Sequence, residues 1–182
     1  MPLRSLGILI LAFILPGKNY SQPLITKTGF IGFYSRTPFE DIQAENNQVY
    51  AVLDRASHRL AFALLMRGFM FPRELMQEHF NENYVESDKY PKASFTGGCS
   101  GEMDFSKDGI YEVVIKGDLS IHGVTRPLET TAQIEVKTDC IIGTASFKID
   151  PENFNIKIPG VVREKIAREI SLKINTKWIP SK

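Results

Sequence analysis

The sequence predicts an all-β, mainly antiparallel fold: eight strands closed into a barrel, with one short inserted helix. Three observations lead there. Apolar and polar residues alternate with period two over eight separate segments, the mark of strands with one buried face. Only one segment carries apolar residues at helical spacing. The apolar faces also interleave small residues, Gly97, Gly101, Gly117 and Ala132, where a filled core would carry bulkier groups.

The strands follow in order. The first spans Lys27 to Ser35 and the second Ile42 to Leu53, with Arg36-Thr37-Pro38-Phe39-Glu40-Asp41 as the turn between them. A third runs from His58 to Met66. The fourth, Ala93 to Phe105, sets Ala93, Phe95, Cys99, Met103 and Phe105 against Ser94, Thr96, Glu102 and Asp104. The fifth, Ile110 to His122, sets Tyr111, Val113, Ile115, Leu119 and Ile121 against Glu112, Lys116, Asp118 and Ser120. Between these two, Ser106-Lys107-Asp108-Gly109 offers the Asp-Gly pair that supplies positive φ to tight hairpins. Pro127 to Val136, Cys140 to Ile149 and Arg168 to Trp178 complete the set.

Two places break the pattern. From Pro72 to Asn83, Pro72 suits a first helical turn, Glu74 suits the positive helix end, and Leu75, Met76, His79 and Phe80 share one face. From Pro151 to Ala167, Pro151, Pro159 and Gly160 punctuate short turns. Eight antiparallel strands suffice to close a sheet, and a barrel of that size is either filled by its own side chains or holds one small ligand. A two-sheet sandwich is the structural rival. The glycines fit either open space or close approach of neighbouring strands.

At 182 residues the chain is one domain of ordinary size. The first residues read as a secretory signal: Arg4, an apolar run from Leu6 to Leu15, Pro16-Gly17, then a polar stretch ending at Ser21. The run is too short to cross a hydrocarbon core of about 30 Å. The expected division is therefore a signal peptide over 1–21 and the barrel domain over 22–182, placing the mature protein in the periplasm or outside the cell. Loss of the leader moves the formal charge from +1 to −1, so a clustered basic face for nucleic acid is not expected. Cys99 and Cys140 would meet an oxidising compartment, where a bridge and two buried thiols are both open readings.

Nothing in the sequence spells a catalytic or metal site. His58, His79 and His122 have no metal-binding spacing with each other or with the cysteines, and no phosphate-cradling glycine loop occurs. No cofactor is expected. His79 on the helix reads as structural or as a contact to a polar ligand head, and His122 as a stabiliser of the turn after the fifth strand. An enzyme would need one of these histidines beside another ionisable group in a cleft. The helix with Leu75, Met76 and Phe80, and the preceding Met66-Arg67-Gly68-Phe69-Met70-Phe71, would form either a lid over a barrel mouth or a plug for one end of the core.

Together these residues resemble the YceI-like family. Its signature segment corresponds to 75–97, from Leu75-Met76-Gln77-Glu78-His79-Phe80 to Phe95-Thr96-Gly97. The later segments 117–128, containing Ile121-His122-Gly123-Val124-Thr125-Arg126-Pro127, and 145–150, Ala145-Ser146-Phe147-Lys148-Ile149-Asp150, follow in the family's order. The likeness spans Thr26 to Trp178. It implies a lipocalin-like barrel with a long tunnel, a polyisoprenoid lipid in that tunnel, a location outside the cytoplasm, and in some members a homodimer. The polar Glu45-Asn46-Asn47-Gln48 of the second strand and Arg36-Thr37-Pro38 of the first hairpin depart from the family pattern.

The expected activity is thus the binding or carrying of a long-chain isoprenoid-type lipid, without catalysis. The candidate wall or mouth residues are Phe69, Phe71, Leu75, Met76, His79, Phe80, Phe95, Met103, Tyr111, Val113, Ile115, Leu119, Leu172 and Ile174. The same apolar residues would equally build a dry core. That case corresponds to the alternative function, an envelope interaction protein with a filled barrel.

Overall fold

Residues 22–179 are described by a computed structural model, and the expected leader lies outside them. Eight strands form the predicted closed antiparallel barrel: β1 (Leu24–Arg36), β2 (Asp41–Asp54), β3 (Arg59–Leu65), β4 (Lys92–Ser100), β5 (Gly109–Ile121), β6 (Val124–Val136), β7 (Ile141–Ile149) and β8 (Ile170–Trp178). Each strand pairs with its sequence neighbours, and β8 returns to β1. The helix α1 (Glu74–His79) sits between β3 and β4 and widens into one further turn at Phe80–Tyr84. Because the strands alternate in direction, the β1–β2, β3–β4, β5–β6 and β7–β8 connections gather at one end of the barrel. The β2–β3, β4–β5 and β6–β7 connections gather at the other.

Two turn expectations are corrected. β4 stops at Ser100 instead of Phe105, since Gly101 adopts φ +139 and turns the chain out of the sheet. The next residues fold around Asp104, whose carboxylate accepts from the Ser106 amide at 2.8 Å and the Ser106 hydroxyl at 2.6 Å. Asp108-Gly109 makes no positive-φ turn, because Gly109 already belongs to β5. The tight hairpin lies at the opposite end of β5, where Ile121 pairs with Val124 across His122 (φ 52) and Gly123 (φ 73). Positive φ at both central residues gives the turn that matches the twist of antiparallel strands.

Pairing around the barrel is uneven. β5 and β6 are paired along their whole length, from Gly109–Val136 to Ile121–Val124. β6 meets β7 only through Ala132–Val136, leaving Val124–Thr131 without a strand on that side. The β7–β8 connection covers this stretch, with Phe154 and Ile156 buried and Arg126 Nε donating to the Asn153 carbonyl at 3.0 Å. Likewise β2 meets β3 only through Tyr50–Asp54. Beyond that, Glu45 exchanges backbone hydrogen bonds of 3.1 and 2.8 Å with Met70 of the β3–β4 connection.

The polar run of β2 acquires its physical reason here. Asn46 is fully buried, donates to the Leu65 carbonyl at 3.0 Å and accepts from the Gln48 amide at 2.8 Å. It thereby satisfies backbone at the end of β3 that β2 does not reach.

Gly97 and Gly117 lie opposite each other on β4 and β5. A Cβ on Gly97 would stand 2.4 Å from the Lys116 carbonyl oxygen, and one on Gly117 2.5 Å from the Gly97 Cα. These glycines therefore allow two backbones to touch, with the Phe95 ring over them. They do not create open space, contrary to one of the two readings that the sequence left open.

Candidate functional site: an apolar cavity open at one end

The interior is not uniformly packed. Near the end of β8, Trp178, Leu53, Ala51 and Val49 are fully buried, and the Trp178 indole donates to the Ala51 carbonyl at 3.1 Å. Toward the other end, inward-facing Phe33, Phe62, Leu64, Phe147, Leu172 and Ile174 are only half-buried. Side chains that point into a closed barrel yet remain accessible must border a void. That void is a cavity of about 550 Å³, within the size range of small-molecule sites.

Its floor is Trp178 with Thr176 and Gly143, and its walls come from all strands, including Ile115 and Leu119 of β5 and Ala132 and Ile134 of β6. The cavity reaches the end where α1 and the β1–β2 and β7–β8 connections meet. Glu40 and Ile42 line it from β1–β2, Arg73, Leu75, Met76 and His79 from the helix, and Ile158, Val162 and Lys165 from β7–β8. We call this end the mouth.

Four phenylalanines build one side of it. Phe33 contacts Phe69, Phe71 and Phe80 at ring-centroid distances of 5.6, 5.5 and 5.5 Å, and Phe71 lies 5.0 Å from Phe80. The Phe71 amide donates to the Gln77 side chain at 3.2 Å, and Arg73 pairs with Glu40, tying the helix to the β1–β2 hairpin. The helix therefore borders the opening, since Leu75 and His79 line the cavity while standing exposed to solvent. Tyr84 also lines the cavity, and burial pushes its phenol above the usual range, keeping it neutral.

Of the residues singled out from sequence, Phe69, Phe71, Leu75, Met76, His79, Phe80, Phe95, Ile115, Leu119, Leu172 and Ile174 border this one cavity. Met103, Tyr111 and Val113 do not. Met103 follows the turn at Gly101, Val113 is buried in the solid end, and the Tyr111 hydroxyl donates to the Lys107 carbonyl at 3.1 Å in the β4–β5 connection. Reasoning from strand alternation gives the inward side but not the depth, so residues of the packed end and of the hollow end look alike.

Several wall residues were missed, among them Ile31, Phe33, Phe62, Leu128, Phe147 and the mouth residues Ile156, Ile158 and Ile166. The alternation Ile156-Lys157-Ile158 was a usable signal within a stretch read only as turns.

The histidines lie apart. His58 packs edge-on against Phe105 at 5.6 Å, at the solid end. His122 is buried behind the wall, where Nδ1 donates to the Phe154 carbonyl at 3.1 Å and Nε2 is 2.9 Å from Glu86. The Tyr90 ring lies 4.2 Å away. Both ring nitrogens are thus engaged in contacts between connections, and neither His122 nor Glu86 lines the cavity.

Cys99 and Cys140 are unbridged and buried. Among the described residues, no group of three or more histidine, cysteine or acidic side chains could hold a metal, and no helix is long and apolar enough to cross a membrane.

A closed eight-stranded barrel around one apolar cavity, with its few charged lining groups at the mouth, defines a class of small-ligand-holding barrels. The chain belongs to the YceI-like domain family, whose model matches residues 28–178. It is similar in structure to a polyisoprenoid binding domain from Saccharophagus degradans implicated in plant cell wall breakdown, with a TM-score of 0.74 and 11% identity over 87% of this chain and 98% of that one. Burkholderia cenocepacia BcnA follows at a TM-score of 0.70 and 12% identity, covering 84% and 96%. The Campylobacter jejuni YCEI protein gives 0.58 and 15%, covering 100% and 92%. At these identities the likeness shows the fold. A comparison with curated proteins finds no match.

Proposed function

We propose that this protein binds one long-chain isoprenoid-type lipid in its barrel, as an exported carrier or sequestering protein without catalysis. The observation that carries the reading is the cavity itself: about 550 Å³, apolar along its length, and open at one end. The family and the polyisoprenoid-binding neighbour support it. Export rests on the first 21 residues, with the periplasm or the exterior as the place of action. A homodimer is part of the family expectation and would be read by light scattering.

The energetics suffice without any charged contact. Each methylene taken from water contributes about 0.8 kcal/mol, and even after the cost of ordering the chain a lipid of many carbons is held firmly. The eleven wall and mouth residues named from sequence would contact the chain.

Trp178, the single tryptophan, forms part of the cavity floor and serves as an internal reporter. Titration with an isoprenyl alcohol should give a saturable change in its fluorescence. Native mass spectrometry with lipid extraction of protein from its own host should find one bound lipid per chain. A protein that arrives lipid-free and gives no saturable response to isoprenyl probes would refute the reading.

A further inference from the structure

The ionisable groups lining the cavity are confined to one place. Apart from the neutral Tyr84 phenol, they are Glu40, Arg73, His79 and Lys165, carried by the three connections that frame the mouth. Arg73 pairs with Glu40, whose charge is thereby matched, although a guanidinium retains further N–H donors beyond one carboxylate contact. Lys165 is exposed at the rim and has no ion-pair partner among the described residues. Among the groups that line the cavity, two fixed cations thus stand against one carboxylate, at the end of a cavity that is otherwise apolar.

The volume adds a second constraint. At about 30 Å³ per water-sized group, a cavity of about 550 Å³ accepts roughly twenty carbon-sized groups. A longer chain would have to leave through the mouth, since Trp178 and the fully buried residues behind it close the other end.

We infer that the ligand is an anionic amphiphile: a chain of about twenty carbons in the barrel, and a terminal phosphate or carboxylate at the mouth, where Lys165 and the free donors of Arg73 line the cavity. This rests on the lipid-binding reading and specifies which end of the lipid faces out and what it carries.

The test uses matched probes of about four isoprene units, an alcohol and its monophosphate, together with a fatty acid of similar length and its alcohol, each titrated against the Trp178 signal. Both anions should bind about ten-fold more tightly than their alcohols at low salt, and the difference should shrink as ionic strength rises. Lys165→Glu should weaken anion binding at least three-fold more than it weakens alcohol binding, so that the anion preference falls. Lys116→Glu, on the outer wall where Lys116 meets Glu129 at 2.9 Å, should leave the preference intact. If alcohols and anions bind equally, or if Lys165→Glu leaves the preference as it was, the headgroup inference is overturned and lipid binding stands. If no probe binds, the lipid-binding reading itself falls. If only the phosphate or only the carboxylate is preferred, the head is anionic and its source is identified.

Discussion

His122→Ala is the most informative single change to the shell that frames the cavity. The His122 ring joins three connections at the mouth end: its own β5–β6 hairpin, Glu86 after α1, and Phe154 in the segment that covers the unpaired side of β6. Removing it strands the buried Phe154 carbonyl, at about 1–3 kcal/mol for an unsatisfied acceptor. The Tyr90 ring, 4.2 Å away, loses its edge-on partner, at about 0.5–1.5 kcal/mol. The Glu86 carboxylate is 45% exposed and remains hydrated, so its share is under about 1 kcal/mol.

The expected cost is therefore about 3 kcal/mol, or roughly 6–12 °C in Tm for a domain of this size. Glu86→Gln should cost no more than about 1 kcal/mol, and the double variant should be less destabilised than the two singles predict, because the removed groups are partners. Urea unfolding followed by circular dichroism measures all three. Hydrogen exchange should locate the loosening at residues 150–156. If His122→Ala stays within about 0.5 kcal/mol of the parent, the ring is not the clamp described and the reasoning fails.

Other outcomes follow from packing and burial. Gly97→Ala should cost about 3 kcal/mol or more, because its Cβ meets the Lys116 carbonyl and the Gly117 Cα, both backbone, and β4 and β5 would have to part; thermal melts will show it. Ala145→Trp places a large side chain at mid-cavity on β7 and should abolish lipid binding while the far-UV spectrum stays that of the parent. Burial pushes the Cys99 and Cys140 thiols above the ordinary thiol range, which depletes the reactive thiolate. Both should therefore resist a disulfide reagent at pH 8 in the folded protein and react within the unfolding transition.

Period two was enough to read the barrel, because every strand buries one face and exposes the other. It could not distinguish a packed interior from a hollow one. Phe95, Leu172 and Val113 all point inward, yet the first two border the cavity and Val113 belongs to the solid end. What separates them is depth along the barrel, fixed by where each strand ends: a glycine at φ +139 after Ser100 put Met103 outside the sheet. The glycines on β4 and β5 were ambiguous for the same reason, since only the facing backbone shows that they close a gap. The mouth was legible in part, because Phe69, Phe71, Leu75 and Phe80 stand out as large apolar groups in a non-strand segment. The β7–β8 wall residues were hidden among turn formers.

The division of the barrel into a solid and a hollow end has a mechanical consequence. A cavity costs stability because its lining side chains lack partners on one side, and here that loss is confined to the mouth half. The other half offsets it with Leu53, Val49 and Ala51, fully buried behind the Trp178 floor. At the mouth, the gaps left by incomplete β2–β3 and β6–β7 pairing are covered by chain segments anchored by buried Phe69, Phe154 and Ile156 and by polar contacts, Asn46 to Leu65, Arg126 to Asn153 and His122 to Phe154. Those segments lie outside the strand pairing of the barrel, whereas Trp178 belongs to β8 itself. A lipid would therefore pass through the mouth and settle against Trp178, with its last-inserted end, the polar one, left among the charged groups of the rim.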